Sequence, residues 1–293
     1  MNKIKIDIPL VRELIKRQFP LYTNLSIVKV ENDGNDNRTF RLGGDKIIRL
    51  PSSEVYSKGV ENEWSILESI KPFVSVATPI PLEKGVGCDI YPWSFSIYKW
   101  INGVDGEQIE FSKEDISSLG NDLAKFLKEI HSVDARDIRT LGIENFYRGG
   151  NLAHYKDEAI ENITKLKYLI DTEKALKILT VSLSSKWKER PVIVHGDLVK
   201  SNILIKSKFL SGVIDFGCSA AGDPACDLTA YWSIFEGHSA EIFKKQVDLD
   251  KETWERAKGW MLWKATYELV AMRNRKNNRY NHFSKIIKNI LLE

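Results

Sequence analysis

The sequence predicts an α+β chain in two lobes: a small N-terminal lobe built on an antiparallel sheet with one helix, and a larger, mainly helical C-terminal lobe. Three observations predict it. Short strand-like runs separated by turns rich in Asn, Asp and Gly follow one another between residues 26 and 50. Long stretches with apolar residues at steps of three and four dominate after residue 112. Between the longest of these, residues 191–217 alternate short apolar runs with acidic turns. A length of 293 residues suits two lobes better than one small core.

In chain order, Val11 to Phe19 reads as a short amphipathic helix ended by Pro20. Ser26–Glu31 alternates as a strand should. Asn32-Asp33-Gly34-Asn35-Asp36-Asn37 is a turn, Thr39–Leu42 a second strand, Gly43-Gly44-Asp45 a turn, and Lys46–Leu50 a third strand stopped by Pro51. Val55 to Ile70 has helical spacing, with Val60, Trp64 and Leu67 on one stripe. Thr78-Pro79-Ile80-Pro81 breaks it, Leu82–Val86 follows, and Pro92–Trp100 reads as a strand feeding Ile101-Asn102-Gly103. The lobes are expected as residues 1–102 and 103–293, hinged near 97–102.

Lys113 to His131 is the clearest helix, with Ile116, Leu119, Leu123, Phe126, Leu127 and Ile130 in one stripe and Ser112 as N-cap. His131 ends that stripe and reads as structural. Tyr155–Ile170 and Asp171–Trp187 read as helices, as do Thr229–Phe235 and Lys251–Arg273. The tryptophans of the last are expected in the core. Arg273 to Lys288 carries a run of cations, read as a solvated helix end.

Composition excludes several functions. Forty-three basic residues against 40 acidic ones leave a net charge of +3, too even for a nucleic-acid or anionic-membrane binder. Three cysteines in no metal-ligand spacing suit a reducing compartment. The N-terminal stretch lacks the apolar core of a signal peptide, and no uncharged run approaches the ~20 residues of a membrane span. A cytoplasmic monomer is expected.

The chemistry is concentrated in PVIVHGDLVKSNILIKSKFLSGVID, residues 191–215. Three strands, Val192–Val194, Ile203–Ile205 and Gly212–Ile214, joined by tight turns can gather Asp197, Asn202 and Asp215. That trio suits phosphoryl transfer, where the protein positions groups and neutralises charge. One Asp accepts the proton of an attacking hydroxyl, while an Asn and a second Asp offer Mg²⁺ the oxygen ligands it prefers. Protein kinases carry H-R-D-x-x-x-x-N and D-F-G; this chain has His195-Gly196-Asp197-x-x-x-x-Asn202 and Asp215-Phe216-Gly217.

HGDLVKSNIL followed by VIDFGCSAAGDPACDL resembles the aminoglycoside phosphotransferase and choline kinase-like family, across most of the chain. The resemblance implies the two-lobed protein-kinase-like fold, with ATP or GTP as donor and Mg²⁺ as cofactor. It makes Asp197 the catalytic base and Asn202 and Asp215 the metal ligands. It sets Arg49 where the third strand usually carries a phosphate-contacting Lys, a departure from the pattern, with Lys46 as rival on the opposite strand face. Glu63 becomes the helical partner of that cation. Lys99, Trp100 and Ile101 fall at the hinge that meets the nucleotide base, and the NDGNDN turn takes the place of the phosphate-covering loop. Asp227 is read as a brace for the loop carrying Asp197, and His195 as fixing that loop.

The expected function is transfer of the γ-phosphoryl group to a hydroxyl of a small molecule, an aminoglycoside first. A macrolide or choline-like acceptor is the alternative; acidic candidates for a cationic acceptor are Glu236, Glu241, Asp248, Asp250 and Glu268. A non-catalytic nucleotide-binding module is a further alternative. No A-P-E follows Asp215, which argues against a protein acceptor.

Overall fold

A computed structural model describes residues 4–30, 36–138, 141–272 and 277–293. Asn32 to Asn35 of the expected phosphate-covering turn, and Arg273, Arg275 and Lys276 of the basic run, lie outside the described residues.

Helix α1 (Ile8–Gln18) is capped by Asp7, whose carboxylate accepts the Leu10 N–H at 3.2 Å. Strands β1 (Ile27–Lys29), β2 (Asn37–Leu42) and β3 (Lys46–Pro51) form the expected meander. The expected helix over 55–70 arrives in two pieces, α2 (Glu54–Ser57) and α3 (Val60–Ile70). The break falls at Lys58-Gly59, where glycine is a poor helix former and its backbone lies against the Gly217 carbonyl. Strands β4 (Pro81–Gly85) and β5 (Phe95–Lys99) complete a five-stranded antiparallel sheet in the order β1-β2-β3-β5-β4. Alternation along the strands buries Phe40, Leu42, Ile48, Leu50, Phe95 and Ile97 with Val11, Leu14 and Ile15 of α1 in one core.

Helix α3 differs from its expected stripe. It buries Val60, Glu63, Ile66, Leu67 and Ile70, while Trp64 is half-buried with its indole N–H on Ser96 Oγ at 2.8 Å. The face is set by what it meets: Ile66, Leu67 and Ile70 join the core of the helical half, together with Tyr98 of β5. This helix therefore ties the sheet to the rest of the molecule and points a carboxylate inward between them.

The helical half begins at β6 (Val104–Asp105) and α4 (Lys113–Ser132), where Ser112 accepts the Asp115 N–H at 3.1 Å. Helices α5 (Lys156–Lys165) and α6 (Thr172–Ser182) follow. Next come β7 (Val192–Val194), β8 (Ile203–Lys206), β9 (Phe209–Val213) and β10 (Ala220–Gly222). They form two small antiparallel sheets, β6-β8-β9 and β10-β7. Helices α7 (Ala230–Ser233), α8 (His238–Val247), α9 (Lys251–Ala271) and α10 (Asn278–Leu292) close the chain. Thr229–Phe235 keeps only one α-helical turn, and α8 was not foreseen. Helix α9 is buried on most of its circumference, and Trp254, Trp260 and Trp263 pack inside it as expected. No helix among the described residues is long and apolar enough to cross a membrane.

Candidate active site

Strand β7 delivers His195-Gly196-Asp197 into a loop held from below. Asp227, fully buried in the turn before α7, accepts the N–H of His195 at 2.8 Å and of Gly196 at 2.7 Å. His195 Nε2 lies 3.0 Å from the Ile214 carbonyl, while Nδ1 accepts the Asp197 N–H at 3.3 Å, so Nε2 carries the proton. Ser219 Oγ donates to the His195 carbonyl at 3.0 Å. Gly196 has φ of 84°, and a Cβ there would lie 2.4 Å from the Cys218 carbonyl oxygen. Glycine at this point of the motif is thus a steric requirement of this loop. His131 comes no closer than 3.8 Å to Asp227 and stays away from Asp197's carboxylate network, in keeping with a structural role.

Asn202 ties the loop to the next strand pair. Its amide N–H₂ donates to the Asp197 carbonyl at 2.8 Å and reaches Asp197 Oδ2 at 3.4 Å, and its own carbonyl accepts the Ile214 N–H at 2.9 Å. Its side-chain oxygen has no hydrogen-bond donor among the described residues. Asp215, one residue after Ile214, sits in the left-handed region at φ 69°. Such a backbone is uncommon for an aspartate and re-aims its carboxylate out of the strand direction.

That carboxylate meets Arg49. Arg49 Nη2 donates to Asp215 Oδ1 at 2.6 Å and Nη1 to Glu63 Oε1 at 3.0 Å. Glu63 also accepts the Tyr98 hydroxyl at 2.6 Å and the Phe216 N–H at 3.2 Å, and is buried. The guanidinium fork therefore links β3, α3 and the Asp215-Phe216-Gly217 turn in one network. Burial disfavours the Arg49 charge, but Asp215 and Glu63 outweigh it and hold the guanidinium protonated more firmly than usual. Lys46 turns to Asp45 at 2.8 Å and the Tyr22 ring, away from this network.

Three charged residues near Asp197 were not foreseen. Lys264 of α9 donates to Asp197 Oδ1 at 2.7 Å. Arg148 lies alongside: its Cβ would be 3.1 Å from a Cβ at Gly196, and its guanidinium stacks 4.7 Å over the Trp263 ring. Burial pushes the Asp197 carboxyl up, but the Lys264 charge and hydrogen bond, with Arg148 and His195, pull it down to about 2. Asp36 has its carboxyl raised by burial and by the neighbouring Asp215 and Asp197 charges, with Tyr56 as hydrogen-bond partner. Lys264 stands 67 residues from Asp197, and nothing in its local pattern marks it apart from other helix lysines.

Between sheet and helical half lies a cavity of about 510 Å³ lined by Arg49, Asn202 and Asp215 at one end and Lys99, Trp100 and Ile101 at the other. Val30, Ile47, Tyr98, Leu204 and Ile214 supply apolar walls, a size and character suited to a small ligand. The N–H of Lys99 is taken by the Ile80 carbonyl at 2.9 Å and that of Trp100 by the Asp45 carbonyl at 2.8 Å. The Ile101 N–H has no backbone partner among the described residues. The Trp100 ring stacks under Arg41 at 4.4 Å and donates its N–H to Asn102 at 3.1 Å.

The sequence profile of the phosphotransferase enzyme family matches residues 28–260. The chain belongs to that family. An aminoglycoside 3'-phosphotransferase from Staphylococcus aureus is 25% identical over 281 residues, covering 89% of this chain and 98% of that protein. Among solved structures, the GDP complex of wild-type aminoglycoside 2'-phosphotransferase-IIIa superposes with a TM-score of 0.73 at 19% identity, covering 100% of this chain and 99% of the other. Macrolide 2'-phosphotransferase type I gives 0.62 at 18% identity, covering 97% and 98%. The expected kinase-like α+β fold and the family resemblance agree with these findings.

The oxygen donors at one end of the cavity fit Mg²⁺. The Asn202 amide oxygen is uncommitted, and Asp215 offers a carboxylate. No cluster of three or more His, Cys, Asp or Glu forms a metal cage among the described residues. A nucleotide-borne Mg²⁺ needs none, because it takes one or two protein oxygens and completes its shell with phosphate and water.

Proposed function

We propose that the chain transfers the γ-phosphoryl group of Mg-ATP or Mg-GTP to a hydroxyl of a small molecule, with an aminoglycoside as the acceptor class. The observation that carries the reading is that Asn202 and Asp215 line one end of a cavity of about 510 Å³, and that Asn202 in turn holds the Asp197 loop, its amide N–H₂ donating to the Asp197 carbonyl at 2.8 Å. Arg49, braced by Glu63, contacts the phosphates. The free N–H of Ile101 receives the nucleotide base, with Lys99 and Trp100 shaping that end. Mg²⁺, held by Asn202 and Asp215, supplies charge neutralisation on the phosphates. Asp197, already ionised, orients the acceptor hydroxyl and takes its proton late, as a loose transition state allows. Residues 1–102 act as the nucleotide-holding lobe and 103–293 as the catalytic and acceptor lobe, in a cytoplasmic monomer.

The acceptor class rests on the Staphylococcus aureus relative and on the motif resemblance. Of the acidic candidates for cation recognition, Glu236 is paired with Lys285 at 2.6 Å, Glu268 with Arg279 at 2.8 Å, Glu241 with the Tyr231 hydroxyl at 2.7 Å, and Asp250 caps α9. The test is a turnover screen of the purified protein with ATP and GTP against aminoglycosides, macrolides and choline. An Asp197→Asn variant should bind Mg-nucleotide as the parent does and lose turnover by about 10²–10⁴-fold. Turnover by that variant at the parent rate refutes the base assignment.

A further inference from the structure

We propose that Lys264 is a second catalytic residue: its ammonium contacts the phosphoryl group as that group passes to the acceptor hydroxyl, and it is released to do so when Asp197 takes the hydroxyl proton. The inference deepens the phosphotransferase reading above and rests on it. Lys264 Nζ donates to Asp197 Oδ1 at 2.7 Å. An ammonium carries three donors, and among the described residues this carboxylate is the one partner of Lys264, so two N–H groups stand unspent beside the base. The other carboxylates nearby are engaged elsewhere, Asp215 by Arg49 at 2.6 Å and Asp36 by the Tyr56 hydroxyl. Arg148 adds a cation close by, but its guanidinium lies 4.7 Å over the Trp263 ring and gives Asp197 no hydrogen bond among the described residues. The lysine itself is held in place. Its side chain is only 17% exposed, and it follows Trp263, which stacks on Tyr155 at a ring separation of 4.0 Å and donates its indole N–H to Glu158 at 2.6 Å. The nucleotide-side cavity is lined by Asn202 and Asp215 but by neither Asp197 nor Lys264. The pair therefore stands on the side to which the phosphoryl group must travel.

Before transfer the pair is neutral: the Asp197 carboxylate offsets the ammonium. Transfer changes that. The acceptor oxygen forms its bond to the γ-phosphorus. The bond from that phosphorus to the β,γ-bridging oxygen breaks, and its electron pair leaves on the nucleoside diphosphate. The hydroxyl proton passes to Asp197, which becomes uncharged, so Lys264 is left uncompensated as the phosphoryl oxygens arrive. A hydroxyl on Asp197 lies about 3 Å from a carboxylate oxygen and attacks a phosphorus about 3–3.5 Å away. The oxygens of that phosphoryl group then come within hydrogen-bond reach of an ammonium placed 2.7 Å from the same carboxylate. The contact is strong in the transition state and weak before it, which is the condition for raising rate rather than affinity. It also gives a reason for pairing a base with a cation. The Lys264 charge lowers the Asp197 carboxyl, and a cation that did only this would weaken the base and cost rate.

Lys264→Met keeps the packing stem and removes the charge. With the acceptor of the screen that turns over fastest, its kcat should fall about 100–1000-fold while the nucleotide KM stays within about threefold of the parent, and Lys264→Arg should recover at least about tenfold. A kcat for Lys264→Met within about threefold of the parent overturns the proposal. A lysine that merely placed Asp197 would lower kcat too. Calorimetry with Mg-ADP or Mg-GDP and fluoroaluminate, a mimic of the phosphoryl group in transit that needs no acceptor, separates the two roles. Fluoroaluminate should tighten diphosphate binding by the parent. Lys264→Met should lose at least about tenfold of that gain, and should lose as much in the Asp197→Asn chain as in the chain that keeps Asp197. A loss confined to the chain that keeps Asp197, or no loss, overturns the contact. If the parent phosphorylates no acceptor of the screen, the phosphotransferase reading fails, and the fluoroaluminate series still decides the role of Lys264. Lys264→Gln replaces the methionine variant if the latter does not fold.

Discussion

Asp227 offers the sharpest quantitative test of how this loop is held. Its carboxylate is fully buried and accepts two backbone N–H groups, from His195 at 2.8 Å and Gly196 at 2.7 Å. In Asp227→Asn one of the two oxygens becomes an N–H₂ facing an N–H donor. One charge-assisted hydrogen bond is lost, about 1.5–3 kcal/mol, and a buried N–H is left unsatisfied, about 1–3 kcal/mol more. The second bond survives but loses its charge. The sum is a destabilisation of about 2.5–6 kcal/mol, large against a total of about 5–15 kcal/mol. The assay is urea unfolding followed by circular dichroism, with turnover measured below the transition. Turnover should fall as well, because the loop carries Asp197 and a misplacement near 1 Å costs about 100-fold. A variant within about 1 kcal/mol of the parent would show that the two N–H groups find another acceptor, and the bracing argument would be refuted.

Four further outcomes are expected. Arg49→Lys replaces a fork that spans Glu63 and Asp215 with a point charge, and should weaken Mg-nucleotide binding about tenfold by calorimetry; an unchanged affinity counts against a phosphate role. Gly196→Ala places a methyl on the Cys218 carbonyl in a left-handed backbone and should lower turnover by at least about 100-fold, whereas normal rates would mean the loop can shift. Removal of divalent ions with EDTA should abolish turnover and added Mg²⁺ restore it; EDTA-resistant turnover rules out the metal assignment. Because Lys264 helps hold the Asp197 carboxyl at about 2, the base is ionised well above that pH, and a bound cation can only lower it further. The kcat/KM profile should therefore show no acid limb from Asp197 between about pH 5 and 8, and an acid limb in that range whose midpoint moves in Asp197→Glu would contradict this.

The linear chain was enough for the frame. Strand alternation in Thr39–Leu42 and Lys46–Leu50, the three-four stripe from Ile116 to Ile130, and the cap at Ser112 are local signals, decided by residues a few positions apart. The acidic loop and turn were legible for the same reason: Asp197, Asn202 and Asp215 lie within one hairpin-like segment, so their short separations nearly dictate their meeting. Tertiary packing alone decided the rest. Which side of α3 faces inward was set by the second core it joins, so Trp64 gave way to Glu63 and Ile66. Lys264 reaches Asp197 because α9 crosses beneath the loop, and Arg148 does so from an irregular segment with no periodicity to read. Long-range charge pairs leave no trace in local spacing, since any solvated lysine on a helix has the same neighbours in sequence.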